Sequence, residues 1–82
     1  MSQNKTYKLY YKHGCHLCEE MAIQLVNLQK IQPFDIEYID IETDSKFYAK
    51  YAEFIPVLTN HQDQLICQYF FDEAIFQQYD KK

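Results

Sequence analysis

Two cysteines separated by two residues carry the clearest chemical signal in this 82-residue sequence. Cys15 and Cys18 lie in the run Gly14-Cys15-His16-Leu17-Cys18. On a helix this spacing places the two sulfurs about one turn apart, close enough to form a disulfide and to exchange it with another thiol. The same spacing also supplies half of a tetrahedral zinc site. The residues around the pair must therefore indicate whether it serves redox chemistry or metal binding.

The other metal-binding residue types are placed poorly for a zinc site. Tetrahedral zinc needs two ligands beyond the cysteine pair, and the sequence contains no second pair of closely spaced cysteines. His13 and His16 are too close to the pair to be independent ligands, and Cys67 is a single distant sulfur. Redox chemistry without a metal is therefore the leading prediction. A non-enzymatic module that binds zinc or an iron–sulfur cluster, and an adaptor without turnover, remain the alternatives.

The elements predicted around the cysteines give the two sulfurs different environments. A tyrosine-rich strand, Thr6 to Tyr11, precedes the pair, and an amphipathic helix from about His16 to Lys30 follows it. On the helical wheel Cys18 falls inside the apolar stripe, whereas Cys15 lies at its edge, at or just before the first turn. The predicted stripe contains Leu17, Cys18, Met21, Ala22, Leu25, Val26 and Leu28, while Ile23 falls on the polar side.

The start of a helix favours a thiolate at Cys15. Unpaired N–H groups and the positive end of the helix dipole stabilise negative charge there, so we expect the pKa of Cys15 to lie below the free value of about 8.5. Lys12 and protonated neighbouring histidines act in the same direction, and the glutamates that follow Cys18 oppose it. The predicted mechanism is attack by Cys15 on a disulfide, followed by attack of the more buried Cys18 on Cys15.

The rest of the chain alternates strands and helices, which predicts one domain over residues 1–82 with an ordered core at about 6–79. A strand at Phe34–Ile41 is followed by a helix that is capped by Thr43 or Asp44 and ends at Tyr51 or Ala52. Two strands, Val57–Thr59 and Gln64–Phe70, are then joined by the polar turn 60–63. The last helix is capped by Asp72, and its predicted buried residues are Ile75, Phe76 and Tyr79. The order β-α-β-α-β-β-α predicts an α/β fold with a parallel first pair and an antiparallel hairpin.

Composition argues against several classes of partner. The net charge is −4, with eight lysines, no arginine and 12 acidic residues, which leaves no basic surface for nucleic acid. No run of about eighteen apolar residues could span a membrane, and the polar start does not resemble a signal peptide. Three cysteines make a poor disulfide framework but fit a reactive pair in a reducing cytosol. We expect a cytoplasmic monomer that binds neither nucleic acid nor membrane.

Two segments resemble the signatures of glutaredoxins. The run from Leu9 to Cys18, Leu-Tyr-Tyr-Lys-His-Gly-Cys-His-Leu-Cys, is similar to the opening strand, lysine and cysteine pair of that family. Ile55-Pro56-Val57-Leu58 is similar to its cis-proline signature. Both occur in the family's order, within a resemblance over about residues 6–79. The resemblance implies a thioredoxin-like fold of the glutaredoxin type, with a four-stranded mixed sheet flanked by helices.

The resemblance also implies roles for individual residues. Cys15 would be the nucleophile and Cys18 the resolving thiol, while Lys12 would help to hold the thiolate and a glutathione carboxylate. Ile55 would offer backbone hydrogen bonds to an extended peptide or to glutathione, and Pro56 would be cis. The implied function is a thiol–disulfide oxidoreductase that reduces protein disulfides or glutathione mixed disulfides. It would have no bound cofactor, glutathione would be a co-substrate, and electrons would come from glutathione or a thioredoxin-type reductase.

One segment departs from the glutaredoxin pattern. The family has a Gly-Gly pair followed by Asp after the hairpin, whereas the corresponding run here is Gln68-Tyr69-Phe70-Phe71-Asp72-Glu73, with no glycine. We expect its aromatic side chains to narrow or reshape the glutathione subsite, with Asp72 retained as a helix cap. Of the remaining candidates, Cys67 is expected to pack as a small hydrophobe, and Tyr11 to line the substrate groove.

Overall fold

The first strand, β1 (Thr6–Tyr11), is buried on both faces in the computed structural model, which describes residues 5–81. Successive side chains of a strand point to opposite faces of its sheet. Tyr7 and Leu9 accordingly enter one core cluster and Tyr10 enters a second one, each with 1% of its surface exposed. β1 therefore has hydrophobic core on both of its faces.

Within residues 5–81, three helices and three further strands follow β1. They are α1 (His16–Gln29), β2 (Asp35–Asp40), α2 (Ser45–Tyr51), β3 (Val57–Asn60), β4 (Leu65–Gln68) and α3 (Glu73–Asp80), with a short 3₁₀ turn at Ile41–Thr43. The strands are ordered β2-β1-β3-β4; β1 and β2 are parallel and the other neighbours are antiparallel. The predicted α/β order and mixed sheet are confirmed. None of the described helices is long and apolar enough to cross a membrane.

α1 buries a narrower stripe than the sequence predicts. Its buried residues are Cys18, Met21, Leu25 and Leu28, at spacings of three and four residues that keep them on one side of the helix. Val26, which was predicted to be buried, is 42% exposed. It lies about 100° around the helix from Leu25, and therefore outside the strip that contacts the sheet.

α3 also buries fewer residues than predicted. Phe76 has no exposed surface and packs against Tyr7 and Phe34, with ring centroids 4.7 and 4.9 Å away. Tyr79 is half-buried against the same cluster, whereas Ile75 is 38% exposed instead of buried. A helix of eight residues has only about two turns, so few of its side chains reach the core around Phe76.

Most predicted element boundaries lie within one residue of the observed ones, and the end of β4 is the exception. β4 ends at Gln68, two residues before the predicted end at Phe70. Tyr69 adopts a left-handed backbone with φ of 67°, which breaks the extended conformation that a strand requires. The early end of β4 therefore results from the backbone conformation of one residue, Tyr69.

Asp44, one of the two residues predicted to cap α2, and Asp72, the predicted cap of α3, are both observed caps. The Asp44 carboxylate accepts a hydrogen bond from the Lys46 N–H at 2.8 Å at the start of α2. The Asp72 carboxylate accepts one from the Ile75 N–H at 3.2 Å at the start of α3. Each bond satisfies an N–H group that the helix itself leaves unpaired.

The buried tyrosines of β1 direct their hydroxyls to carboxylates at the edges of the core. Tyr7 donates to Asp80 at 2.6 Å, and Tyr10 donates to Asp63 at 2.7 Å. Burial is the main cause that raises the pKa of both phenols well above the usual value of 10.0, and the hydrogen bonds to the carboxylates add to it. Both tyrosines therefore have to stay protonated in the folded state.

This protonation requirement predicts a loss of stability in alkaline solution. A phenol whose pKa is raised by folding stabilises the fold fully below its unfolded pKa of about 10, and that stability falls as pH rises further, because unfolding then releases a proton. Between its unfolded and folded pKa, each such phenol lowers the free energy of unfolding by about 1.4 kcal/mol for every pH unit. Tyr10→Phe should therefore reduce the decline in unfolding free energy above about pH 10 by about that slope, measured by urea denaturation.

The matched control is Tyr48→Phe, since Tyr48 is exposed on α2. Its phenol meets solvent in both states, so the alkaline slope should stay as in the unmodified protein. Equal slopes for Tyr10→Phe and Tyr48→Phe would show that Tyr10 does not control the alkaline limb.

Candidate redox site

Cys15 is the N-terminal cap of α1. The preceding residue, Gly14, has φ of 78°, a left-handed conformation that glycine adopts without steric cost. Cys15 is extended, with φ −100° and ψ 107°, and the helix begins at the next residue. The Cys15 sulfur accepts a hydrogen bond from the Cys18 N–H at 3.2 Å. A sulfur thus occupies the position at which serine or aspartate commonly caps a helix.

Cys15 and Cys18 are joined by a disulfide, with their Cα atoms 5.2 Å apart. Cys18 is 3% exposed and belongs to the core cluster that also contains Tyr10 and Tyr51. Cys15 is half-buried and packs against the edge of that cluster. The predicted difference in burial between the two sulfurs is confirmed, and the more accessible sulfur is the one at the helix tip.

The cis peptide bond between Ile55 and Pro56, which the resemblance implied, is present at the start of β3. Ile55 is buried in the same cluster as Cys18, and the Pro56 carbonyl accepts the Tyr69 N–H at 2.9 Å. Within residues 5–81, no backbone hydrogen bond outside the regular elements involves the peptide groups of Ile55. The disulfide and the segment before β3 thus share one cluster.

Lys12 lies in the loop between β1 and α1. It is half-buried and lines a cavity of about 250 Å³ that also reaches Cys18. Tyr11, which we expected to line the substrate groove, forms part of this cavity, together with Tyr38 from β2. Burial raises the pKa of the Tyr38 phenol. The cavity therefore brings a lysine, a glutamate (Glu19) and two aromatic rings beside the buried cysteine.

A histidine–carboxylate pair that the sequence patterns do not predict lies near the end of β1. The Nε2 atom of His13 lies 3.4 Å from a carboxylate oxygen of Asp40. Asp40 ends β2 and is in register with Tyr11, the last residue of the parallel strand β1. The predicted parallel pairing of the first two strands could have indicated this contact, because the carboxyl ends of neighbouring parallel strands meet at one edge of the sheet. The second histidine, His16, is exposed on the first turn of α1.

Cys67 lies away from the pair. It is 8% exposed in β4 and belongs to the cluster beneath α1 and α3, as expected for a small hydrophobe. Burial raises the pKa of its thiol. Among residues 5–81, no three His, Cys, Asp or Glu side chains come together in a way that could hold a metal ion.

The mixed sheet, the cysteine pair at a helix tip and the cis-proline before β3 define a thioredoxin-like fold with a dithiol site. Comparison with solved structures agrees. The solution structure of protein Ne2328 from Nitrosomonas europaea has a TM-score of 0.83 and 34% identity, covering 96% of this chain and 94% of its own. Thioredoxin 1 from Thermosipho africanus has a TM-score of 0.59 and 20% identity, covering 90% of this chain and 92% of its own, and supports the fold alone.

A family model described as "Glutaredoxin-like domain (DUF836)" matches residues 6–79. The chain therefore belongs to the glutaredoxin-like DUF836 family. None of the curated proteins compared with this chain matches it.

The burial of Cys67 predicts that it resists alkylation when the protein is reduced but folded. A buried thiol with a raised pKa presents little thiolate at neutral pH. We expect iodoacetamide to modify Cys67 at least about tenfold more slowly than Cys15, as measured by a labelling pulse and peptide mass spectrometry. In urea the difference should disappear. Equal labelling of the two thiols in the folded protein would contradict the assignment of Cys67 to the core.

Proposed function

We propose that this protein is a thiol–disulfide oxidoreductase in which Cys15 is the nucleophile and Cys18 is the resolving thiol. The observation that carries the proposal is the Cys15–Cys18 disulfide at the N-terminus of α1, with one sulfur half-exposed and the other buried. The disulfide corresponds to the oxidised end of a reaction cycle. The reduced protein starts the cycle with two thiols.

The first step is attack by the Cys15 thiolate on a sulfur of the substrate disulfide. A bond forms between Cys15 and that sulfur, and the other substrate sulfur leaves as a thiolate. The Cys18 N–H that points at the Cys15 sulfur supports the thiolate, as does the positive end of the α1 dipole. Lys12 lines the same cavity as Cys18 and would add positive charge near the pair, while Glu19 in that cavity would oppose it.

The second step is attack by Cys18 on the Cys15 sulfur of the mixed disulfide. Cys18 gives up its proton, the Cys15–Cys18 bond forms, and the second substrate sulfur leaves as a thiolate. Two electrons and two protons pass in total from the protein dithiol to the substrate. The burial of Cys18 fits this role, because a resolving thiol needs access to Cys15 and not to the solvent.

The proposed substrate is a disulfide-bearing protein or a glutathione mixed disulfide, which would lie across Ile55. Buried peptide groups normally find hydrogen-bond partners, and an extended chain passing Ile55 would supply them. Lys12 would contact the thiolate or a carboxylate of glutathione. The dithiol is regenerated by two electrons from glutathione or from a thioredoxin-type reductase, and we place the reaction in the cytoplasm because the pair needs a reducing compartment.

Single serine substitutions test the two assigned roles. Cys15→Ser should abolish reduction of a peptide disulfide, because it removes the attacking sulfur. Cys18→Ser should form the mixed disulfide at Cys15 and fail to release it, so a covalent adduct with the mass of the peptide thiol should appear by mass spectrometry. Cys67→Ala is the matched control and should retain both the rate and the release of product.

Two outcomes would count against the oxidoreductase. Full activity in both serine variants would remove the dithiol from the reaction. Stoichiometric zinc or iron, lost on substitution of Cys15 or Cys18 in anaerobically purified protein, would instead favour the metal-binding module.

A further inference from the structure

Tyr69 holds a backbone conformation that is unfavourable for its residue type. Its φ of 67° lies in the left-handed region, where an aromatic residue is uncommon and glycine is favoured. Strained backbone of this kind persists where the surrounding contacts hold it, and it is concentrated at functional sites.

Two hydrogen bonds hold Tyr69 beside the candidate site. Its backbone N–H donates to the carbonyl of the cis-proline, Pro56, at 2.9 Å. Its hydroxyl donates to the carbonyl of Glu53, also at 2.9 Å, in the segment that follows α2. The side chain therefore reaches from the end of β4 to the residues just before Ile55, and remains 37% exposed.

Tyr69 belongs to an exposed aromatic group that we call the aromatic rim, defined as Phe54, Tyr69 and Phe70. These side chains are 41%, 37% and 69% exposed, respectively. Phe54 directly precedes Ile55 in the chain. Phe70 lines a cavity with Ile23, itself 61% exposed on the outer side of α1. The rim thus extends from the cis-proline segment towards the helix that carries the cysteines.

The charges beside the rim do not suit an anionic ligand. Glu20 lines the same cavity as Phe70, and Glu53 lies at the other end of the rim. At the start of α3 the Asp72 carboxylate already accepts the Ile75 N–H. Glutathione has two carboxylates and no bulky apolar side chain, so it would gain little from aromatic faces and would meet acidic neighbours.

We propose that Tyr69 is a specificity-determining residue that, with the rest of the aromatic rim, selects extended polypeptide disulfides over glutathione mixed disulfides. The preferred polypeptide has a bulky apolar side chain beside its reactive cysteine. This proposal rests on the oxidoreductase function proposed above. While Cys15 attacks the cysteine sulfur, the chain pairs with the backbone of Ile55 and the apolar side chain packs on Tyr69 and Phe70.

Three disulfide substrates with the same leaving thiol test this selectivity. One is a short peptide with leucine next to its cysteine, the second replaces that leucine by serine, and the third is glutathione in place of the peptide. The rate constant for a single turnover of the reduced protein is measured by stopped flow. We expect the leucine peptide to react about tenfold faster than either of the others, a ratio typical of one well-packed aromatic contact.

Variants of the rim assign this preference to particular residues. Tyr69→Gly relieves the left-handed strain and removes the ring, so it should reduce the leucine preference to about twofold or less. Tyr69→Phe keeps the ring and should keep the preference. Phe70→Ser changes a side chain that is already 69% exposed and should lower the preference without unfolding the protein. Tyr48→Ala on α2 is the control and should change none of the three rates.

The outcomes separate this proposal from the one on which it rests. If the unmodified protein reduces none of the three substrates, the oxidoreductase function fails. If it reduces all three at similar rates, the rim does not select and the oxidoreductase remains. A leucine preference that survives both Tyr69→Gly and Phe70→Ser also overturns the role of the rim. Should Tyr69→Gly lose its circular-dichroism spectrum, the decision falls to Phe70→Ser alone.

Discussion

The hydrogen bond from the Cys18 N–H to the Cys15 sulfur is the interaction on which the site depends. It makes one sulfur both the cap of α1 and the candidate nucleophile. A capping residue needs an extended backbone, and Cys15 has one because Gly14 turns the chain immediately before it. The start of the helix and the position of the reactive atom are therefore fixed by the same two residues. A shift in the start of the helix would therefore also displace the reactive sulfur.

This arrangement needs a rigid base, and β1 supplies it. The strand is buried on both faces and lies between β2 and β3, so the loop that leads to Cys15 starts from the interior of the sheet. Its tyrosines are suited to a small protein with two thin layers of core. Their rings fill volume, while the hydroxyls of Tyr7 and Tyr10 reach carboxylates at the edges of the core, and no buried side-chain nitrogen or oxygen in residues 5–81 is left unpaired.

The sequence predicts the elements well because its local patterns determine them. Periodicity predicts α1, Asp72 predicts the cap of α3, and for α2 the sequence narrows the cap to Thr43 or Asp44, of which the structure uses Asp44. How many side chains a helix buries depends instead on what packs against it, which periodicity does not show. The helical pattern therefore predicts burial for Val26 and Ile75, both of which are exposed in the structure. The pairing of His13 with Asp40 likewise needs two strands brought together, which a local pattern does not show.

Among residues 5–81, the two left-handed residues other than glycine show why the sequence does not predict the conformation around Tyr69. Asp63 has φ of 61° in the hairpin, where aspartate tolerates this conformation, and its carboxylate is held by Tyr10 and Lys8. Tyr69 has no comparable chemical tolerance, and glycine would adopt its φ more easily. Its backbone bond to Pro56 and its hydroxyl bond to Glu53 instead hold a large side chain beside the segment that joins α2 to β3. The shape of the groove, more than the ease of the turn, therefore accounts for the residue found there.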